Sequence, residues 1–84
     1  MSSIEQVKKI IDSTLELGGR ARAFGRETPL LGDIPELDSM AVVNLMTTME
    51  EQFDIVVEDD EVSAETFATL GDLVDFVDFK LAAA

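Results

Sequence analysis

Apolar positions recur with a helical period in three separate stretches of this chain. In the first, Ile4, Val7, Ile11 and Leu15 fall three or four apart, and Ile10 and Thr14 widen the stripe. Side chains at that spacing share one helix face, so the pattern predicts a helix from about Ser3 to Leu17. Ser3 or Ser2 can cap it, and Gly18-Gly19 supplies a left-handed stop. In the second stretch, from about Ser39 to Phe53, the residues Val42, Leu45, Met46, Met49 and Phe53 form a core stripe. Met40, Val43 and Thr47 cluster on a different strip of the same helix, so burying the first stripe leaves the second facing solvent. The third stretch carries Leu70, Leu73, Val74, Val77 and Leu81. Thr69 opens it with Asp72 three residues on, a variant of the capping box. Phe67 should plug the bundle just before this helix. Phe76 and Phe79 lie off its stripe, and the Ala82-Ala83-Ala84 tail should fray.

Residues 20–38 join the first two helices. Thr28-Pro29 and Ile34-Pro35 disfavour helix at the residue before each proline. A connection of this length without regular structure is uncommon and often functional. Leu30, Leu31, Ile34 and Leu37 are too apolar for a free linker and should pack down on the helices, whereas Arg20, Arg22 and Arg26 should stay at the surface. The pattern as a whole predicts an all-α fold, a small helical bundle occupying residues 1–84 as a single domain.

Composition narrows the chemistry. There is no cysteine and no histidine among the 84 residues. Disulfides, thiolate metal sites and the commonest general base are therefore excluded. No apolar run approaches the length of a membrane span, and the N-terminus is too polar for a signal peptide, so a cytoplasmic location is the expectation. Net charge is −12, and its distribution is uneven. Five of the six basic residues, Lys8, Lys9, Arg20, Arg22 and Arg26, precede Glu27, and between Glu27 and Asp78 there are fifteen acids and no basic residue. Such a field repels nucleic acid and anionic lipid and attracts a partner with a basic patch. Acidic faces also serve simply as solvated surface.

Two features carry candidate chemistry. The densest acidic run, Glu58-Asp59-Asp60-Glu61, invites comparison with a calcium loop, which needs glycine at its sixth position and glutamate at its twelfth. A loop starting at Asp54 places Asp59 sixth, and one starting at Glu58 places Ser63 sixth, so the pattern fails and no metal site is assigned. The other feature is Glu36-Leu37-Asp38-Ser39-Met40, where a serine stands at the junction of loop and helix. Amides at a helix start and the helix dipole favour a negative group there, such as a phosphate. For an isolated Asp-Ser pair, ordinary N-capping is sufficient explanation.

The surrounding landmarks give that pair a further meaning. Asp38-Ser39-Met40 resembles the Asp-Ser-Leu signature of the acyl carrier protein family. The resemblance extends over nearly the whole chain. It takes in the amphipathic first helix, the long loop, the acidic ending Glu50-Glu51-Gln52-Phe53-Asp54 of the second helix, and the Thr69-Leu70-Gly71-Asp72 opening of the last. It implies a four-helix carrier fold of three main helices and one short helix near Asp60–Glu65. It implies that Ser39 carries a 4′-phosphopantetheine arm, attached from coenzyme A by a phosphopantetheinyl transferase with magnesium. Asp38 would help place the metal and the transferase. The arm would bear acyl groups as thioesters between acyl-loading and acyltransferase enzymes with basic docking patches, and Met40, Val43, Thr47, Glu50 and Glu51 would meet those partners. The chain would thus be a monomeric carrier, the substrate of another enzyme and not an enzyme itself.

Departures from the family pattern qualify the pathway. Carriers of fatty acid biosynthesis usually place acids early on the second helix, where this chain has Ala41, Val42 and Asn44. Met40 stands where leucine is usual. The segments Gly19–Gly25 and Thr28–Gly32 are similar to carriers associated with exosortase systems and exopolysaccharide gene clusters. Two other functions stay open from the residues alone: a peptidyl or aminoacyl carrier of the same architecture, and an unmodified acidic helical adaptor.

Overall fold

The structure, a computed structural model, describes residues 3–83. Three α-helices appear: α1 (Ile4–Leu15), α2 (Ser39–Phe53) and α3 (Leu70–Ala83). α1 packs against both α2 and α3. The core is built from Val7, Ile11 and Leu15 of α1, Leu45, Met46 and Met49 of α2, and Leu70, Leu73, Val74 and Val77 of α3, with Phe67 buried among them. The described residues hold no β-strand beyond a single bridge between Pro29 and Thr69.

The observed ends of α1 and α2 share one device. Glu16 after α1 and Asp54 after α2 both take left-handed backbone, with φ of 54° and 55°. The next residue, Leu17 or Ile55, is buried and returns its N–H to the carbonyl five residues back, Asp12 or Glu50. This is the Schellman closure with its hydrophobic contact. The first helix therefore stops at Leu15, before Gly18-Gly19, and Leu17 belongs to the core as a post-helical anchor. Ser3 occupies the N-cap position of α1 without a side-chain cap bond; its N–H donates to Asp78 Oδ1 of α3 at 3.2 Å. Ser2, the other expected cap, lies outside the described residues.

The long connection is ordered by contacts that it makes in both directions. Asp12 accepts from the N–H groups of Gly19 and Ala21, folding residues 20–23 into a short 3₁₀ turn that buries Ala21. Further on, Leu70 N–H donates to Thr28 O at 2.9 Å and Gly71 N–H to Arg26 O at 2.8 Å, while Leu30 and Leu31 donate back to Ala68 and Phe67. The opening amides of α3, which have no intrahelical acceptor, are thereby satisfied by the loop. Leu30, Ile34 and Leu37 are buried as expected. Leu31 is not: it is 42% exposed, because its side chain falls on the outer side of the segment paired to residues 67–68.

Other details differ from the sequence expectation. The short fourth helix near Asp60–Glu65 is replaced by two 3₁₀ turns, Asp59–Glu61 and Ala64–Phe67, each closed by a reciprocal capping box. Val42 and Phe53 are half-buried at the edge of the core, and Ala41 is buried. Leu81, near the C-terminal end of α3, is exposed and not part of the core stripe, and Ala82 and Ala83 continue the helix instead of fraying. Ala84 lies outside the described residues. Phe76 packs on the core margin, whereas Phe79 is exposed.

Candidate functional site

Ser39 is the first residue of α2, and both it and Asp38 are exposed. Asp38 has extended backbone and is the N-cap: its Oδ1 accepts the Ala41 N–H at 2.8 Å. The first bond of the helical ladder runs from Val42 N–H to Asp38 O at 2.9 Å. The amides of Ser39 and Met40 precede that bond and sit beside the Ser39 hydroxyl. Together with the dipole of a 15-residue helix they favour negative charge at this point. The donor set at Ser39 therefore fits a phosphodiester. Asp38 spends one carboxylate oxygen on the cap, which fixes the helix start.

The lead into the site is held in place. Arg20 pairs with Glu36, two residues before Asp38. Its own backbone N–H and the Arg20 guanidinium hold the Glu36 carboxyl below the ordinary carboxylate value. Leu37 and Ile34, buried on either side of Glu36, anchor the same segment by packing.

On one flank of Ser39 lies a cleft of about 340 Å³ between the start of α2 and residues 62–67. Leu31, Val42, Val62 and Phe67 give it apolar walls. A second cleft of about 260 Å³ shares Val42 and Val62 and continues along α2 to Glu50 and Glu58. The outer wall of both depends on polar ties. Lys80 Nζ meets both carboxylate oxygens of Glu61, at 2.8 and 2.9 Å. Glu61 Oε1 also accepts the Glu58 N–H. The Lys80 ammonium, with the Glu58 N–H, holds the Glu61 carboxyl below its ordinary value. On the α2 side, Glu50 Oε2 accepts the Val57 N–H at 3.1 Å.

Bordering the second cleft, which Val43 and Thr47 also line, α2 carries the exposed strip. Met40 is 72% exposed and Val43 63%, and Thr47 is exposed with its hydroxyl donating to the Val43 carbonyl. That bond turns the Thr47 hydroxyl onto its own helix and extends the apolar surface begun by Met40 and Val43. Glu51 is exposed at the far end of α2, while Glu50 is half-buried and partly committed to Val57. The site thus brings together Asp38, Ser39, Met40, Val43 and Thr47. Sequence reasoning missed the cleft walls Leu31, Val62 and Phe67. The one signal for them was an excess of apolar residues in segments with no helical period.

Among the described residues no group of three or more acids is gathered closely enough to hold a metal ion, and no helix is long and apolar enough to cross a membrane. Comparison with known proteins is consistent in kind. The model of the phosphopantetheine attachment site family matches residues 5–77. An acyl carrier protein of Desulforapulum autotrophicum is 38% identical over 77 residues, covering 92% of this chain and 95% of its own. The solution structure of a holo acyl carrier protein from Nitrosomonas europaea superposes with a TM-score of 0.91 at 52% identity, covering 98% of this chain and 99% of that one. A holo acyl carrier protein from Geobacter metallireducens superposes with a TM-score of 0.78 at 28% identity, covering 99% and 90%.

Proposed function

This chain belongs to the phosphopantetheine-attachment family as an acyl carrier protein, and on that premise we propose that Ser39 is the residue that bears the arm. As a member of the family it is a carrier and not an enzyme, it holds phosphopantetheine covalently, and it serves as substrate for a phosphopantetheinyl transferase and for acyl-handling enzymes. The observation that supports Ser39 is its place at the first position of α2, exposed, with Asp38 rather than Ser39 making the cap bond. The hydroxyl is therefore free to react without loss of the helix start.

In this reading Ser39 Oγ attacks the pantetheine-side phosphorus of the coenzyme A pyrophosphate and passes its proton to a base of the transferase. The P–O bond to the adenylate half breaks, adenosine 3′,5′-bisphosphate leaves, and the Ser39 and Met40 amides at the helix N-terminus stabilise the phosphodiester charge left there. Asp38 offers its second carboxylate oxygen to the cation that accompanies the transferase. When attached, the arm supplies the thiol that this cysteine-free chain lacks. Met40, Val43 and Thr47 are the docking strip beside the attachment point, and Glu51, with what remains free of Glu50, adds charge for a basic patch on the partner. A cytoplasmic, monomeric carrier fits the composition. A place in exopolysaccharide or other lipid-related biosynthesis rests on the Gly19–Gly25 and Thr28–Gly32 resemblance alone. Incubation with a transferase, magnesium and coenzyme A tests the assignment: wild type gains the mass of the arm, and folded Ser39→Ala does not. A Ser39→Ala protein that still gains it removes Ser39 from the mechanism.

A further inference from the structure

A cleft of about 750 Å³ is formed by α1 and the turn that follows it, remote from α2 in its lining. Lys8, Lys9 and Arg22 line it together with Glu5, Asp12 and Gly18-Gly19. Half of the six basic residues of a chain with eighteen acids therefore face one concavity. Their pairing is more telling than their number. Arg20, Arg26 and Lys80, none of which lines this cleft, each hold an acid at short range. Lys8 reaches Glu5 only at 3.8 Å. Lys9 and Arg22 are exposed and have no ion-pair partner among the described residues. Asp12 forms no ion pair with them: both of its oxygens accept backbone N–H groups, from Gly19 and Ala21. Those bonds fold the cleft wall, and at Gly18 and Gly19 the position a Cβ would take is open, so a ligand can approach the backbone there.

We propose that this cleft is a docking site, separate from the Ser39 flank, for an acidic segment of a partner protein. An arginine fork and lysine ammonium groups lining one cleft suit carboxylates presented one at a time. The interspersed Glu5 and the net charge of −12 disfavour a densely charged polyphosphate, nucleic acid or anionic bilayer. At physiological salt the field of the distant acids is screened beyond about 8 Å, while contacts inside the cleft persist. A partner with a basic patch for α2 and an acidic patch for α1 would thus meet the carrier in one orientation.

The test uses the ¹⁵N-labelled full-length protein titrated with a short peptide of alternating aspartate and glutamate, and separately with inorganic phosphate. Saturable shifts from the peptide at the Lys9, Gly18, Gly19 and Arg22 amides, without shifts at Ser39, are expected. The double variant Lys9→Glu, Arg22→Glu should weaken that binding about tenfold or more, the effect of turning two exposed pairs from attraction to repulsion. Both residues are exposed, and arm attachment at wild-type rate reports that the variant is folded. Absence of saturable shifts, unchanged binding by the folded double variant, or equally tight binding of phosphate alone would each overturn the proposal.

Discussion

Replacing Gly71 with alanine should destabilise this protein, against the usual effect of that change in a helix. Gly71 lies in the first turn of α3 and is buried against the long loop. Helix propensity alone favours alanine by about 1 kcal/mol. A Cβ at this position, however, would stand 2.9 Å from Arg26 O and 3.2 Å from Arg26 Cβ. The obstructing oxygen is backbone, and it is the acceptor of the Gly71 N–H itself at 2.8 Å. Relief requires the loop to move off α3, which also stretches the Leu70 to Thr28 bond beside it. Overpacking of this kind costs about 1–3 kcal/mol, and each backbone hydrogen bond lost adds about 0.5–1.5 kcal/mol. After subtracting the propensity gain, a net loss of about 1–3 kcal/mol is expected, which in a domain of this size lowers Tm by roughly 5–20 °C. Thermal unfolding followed by circular dichroism measures it, and amide exchange at Leu70 should quicken. A Gly71→Ala protein that melts at or above the wild-type temperature would refute the reasoning, since the loop would then yield freely.

Three further outcomes follow from the same packing. Phe67→Ala should cost about 3–5 kcal/mol, because Phe67 is almost wholly buried, whereas Met40→Ala should leave Tm nearly unchanged; similar losses in paired melts would contradict the burial of one and exposure of the other. Ala41→Asp should unfold or strongly weaken the bundle while Asn44→Glu is tolerated, since Ala41 is buried and Asn44 exposed, and urea titration of the two variants separates them. Glu61 has its folded-state pKa lowered from an ordinary value of 4.5 by Lys80, so the stability from this pair is present above that value and lost as pH falls through the lowered one. Lys80→Met should therefore lower Tm at neutral pH by an amount that shrinks toward pH 3, and a gap that widens on acidification would contradict the pairing.

Much of this was legible in the sequence where a local rule and the hydrophobic period agreed. Both ends of α2 fall where expected, because Asp38 is a strong cap and the Val42–Phe53 stripe keeps one phase. The exposure of Met40 and Val43 follows from that phase. Reasoning failed where tertiary contacts decided. Left-handed stops at Glu16 and Asp54 look unfavourable for non-glycine residues, and only the burial of Leu17 and Ile55 behind them compensates. Ala41 is buried, although alanine gives no signal of side in the sequence. The apolar character of Leu31 predicts burial, yet its exposed side chain lines the cleft beside Ser39. That cleft joins residues far apart in the chain, Leu31 with Val42, Val62 and Phe67, through backbone pairing that no single-stretch pattern announces.

The proposal for Ser39 requires that one hydroxyl alone carries the arm. Cleavage after glutamate separates a Leu37–Glu50 fragment in which Ser39 is the one serine, accompanied by Thr47 and Thr48. Fragmentation mass spectrometry of that piece, from protein treated with transferase and coenzyme A, locates the added mass to a single residue. The whole of it should fall on Ser39. Mass on Thr47 or Thr48, or on a fragment bearing Ser63 while Leu37–Glu50 stays unmodified, would contradict it.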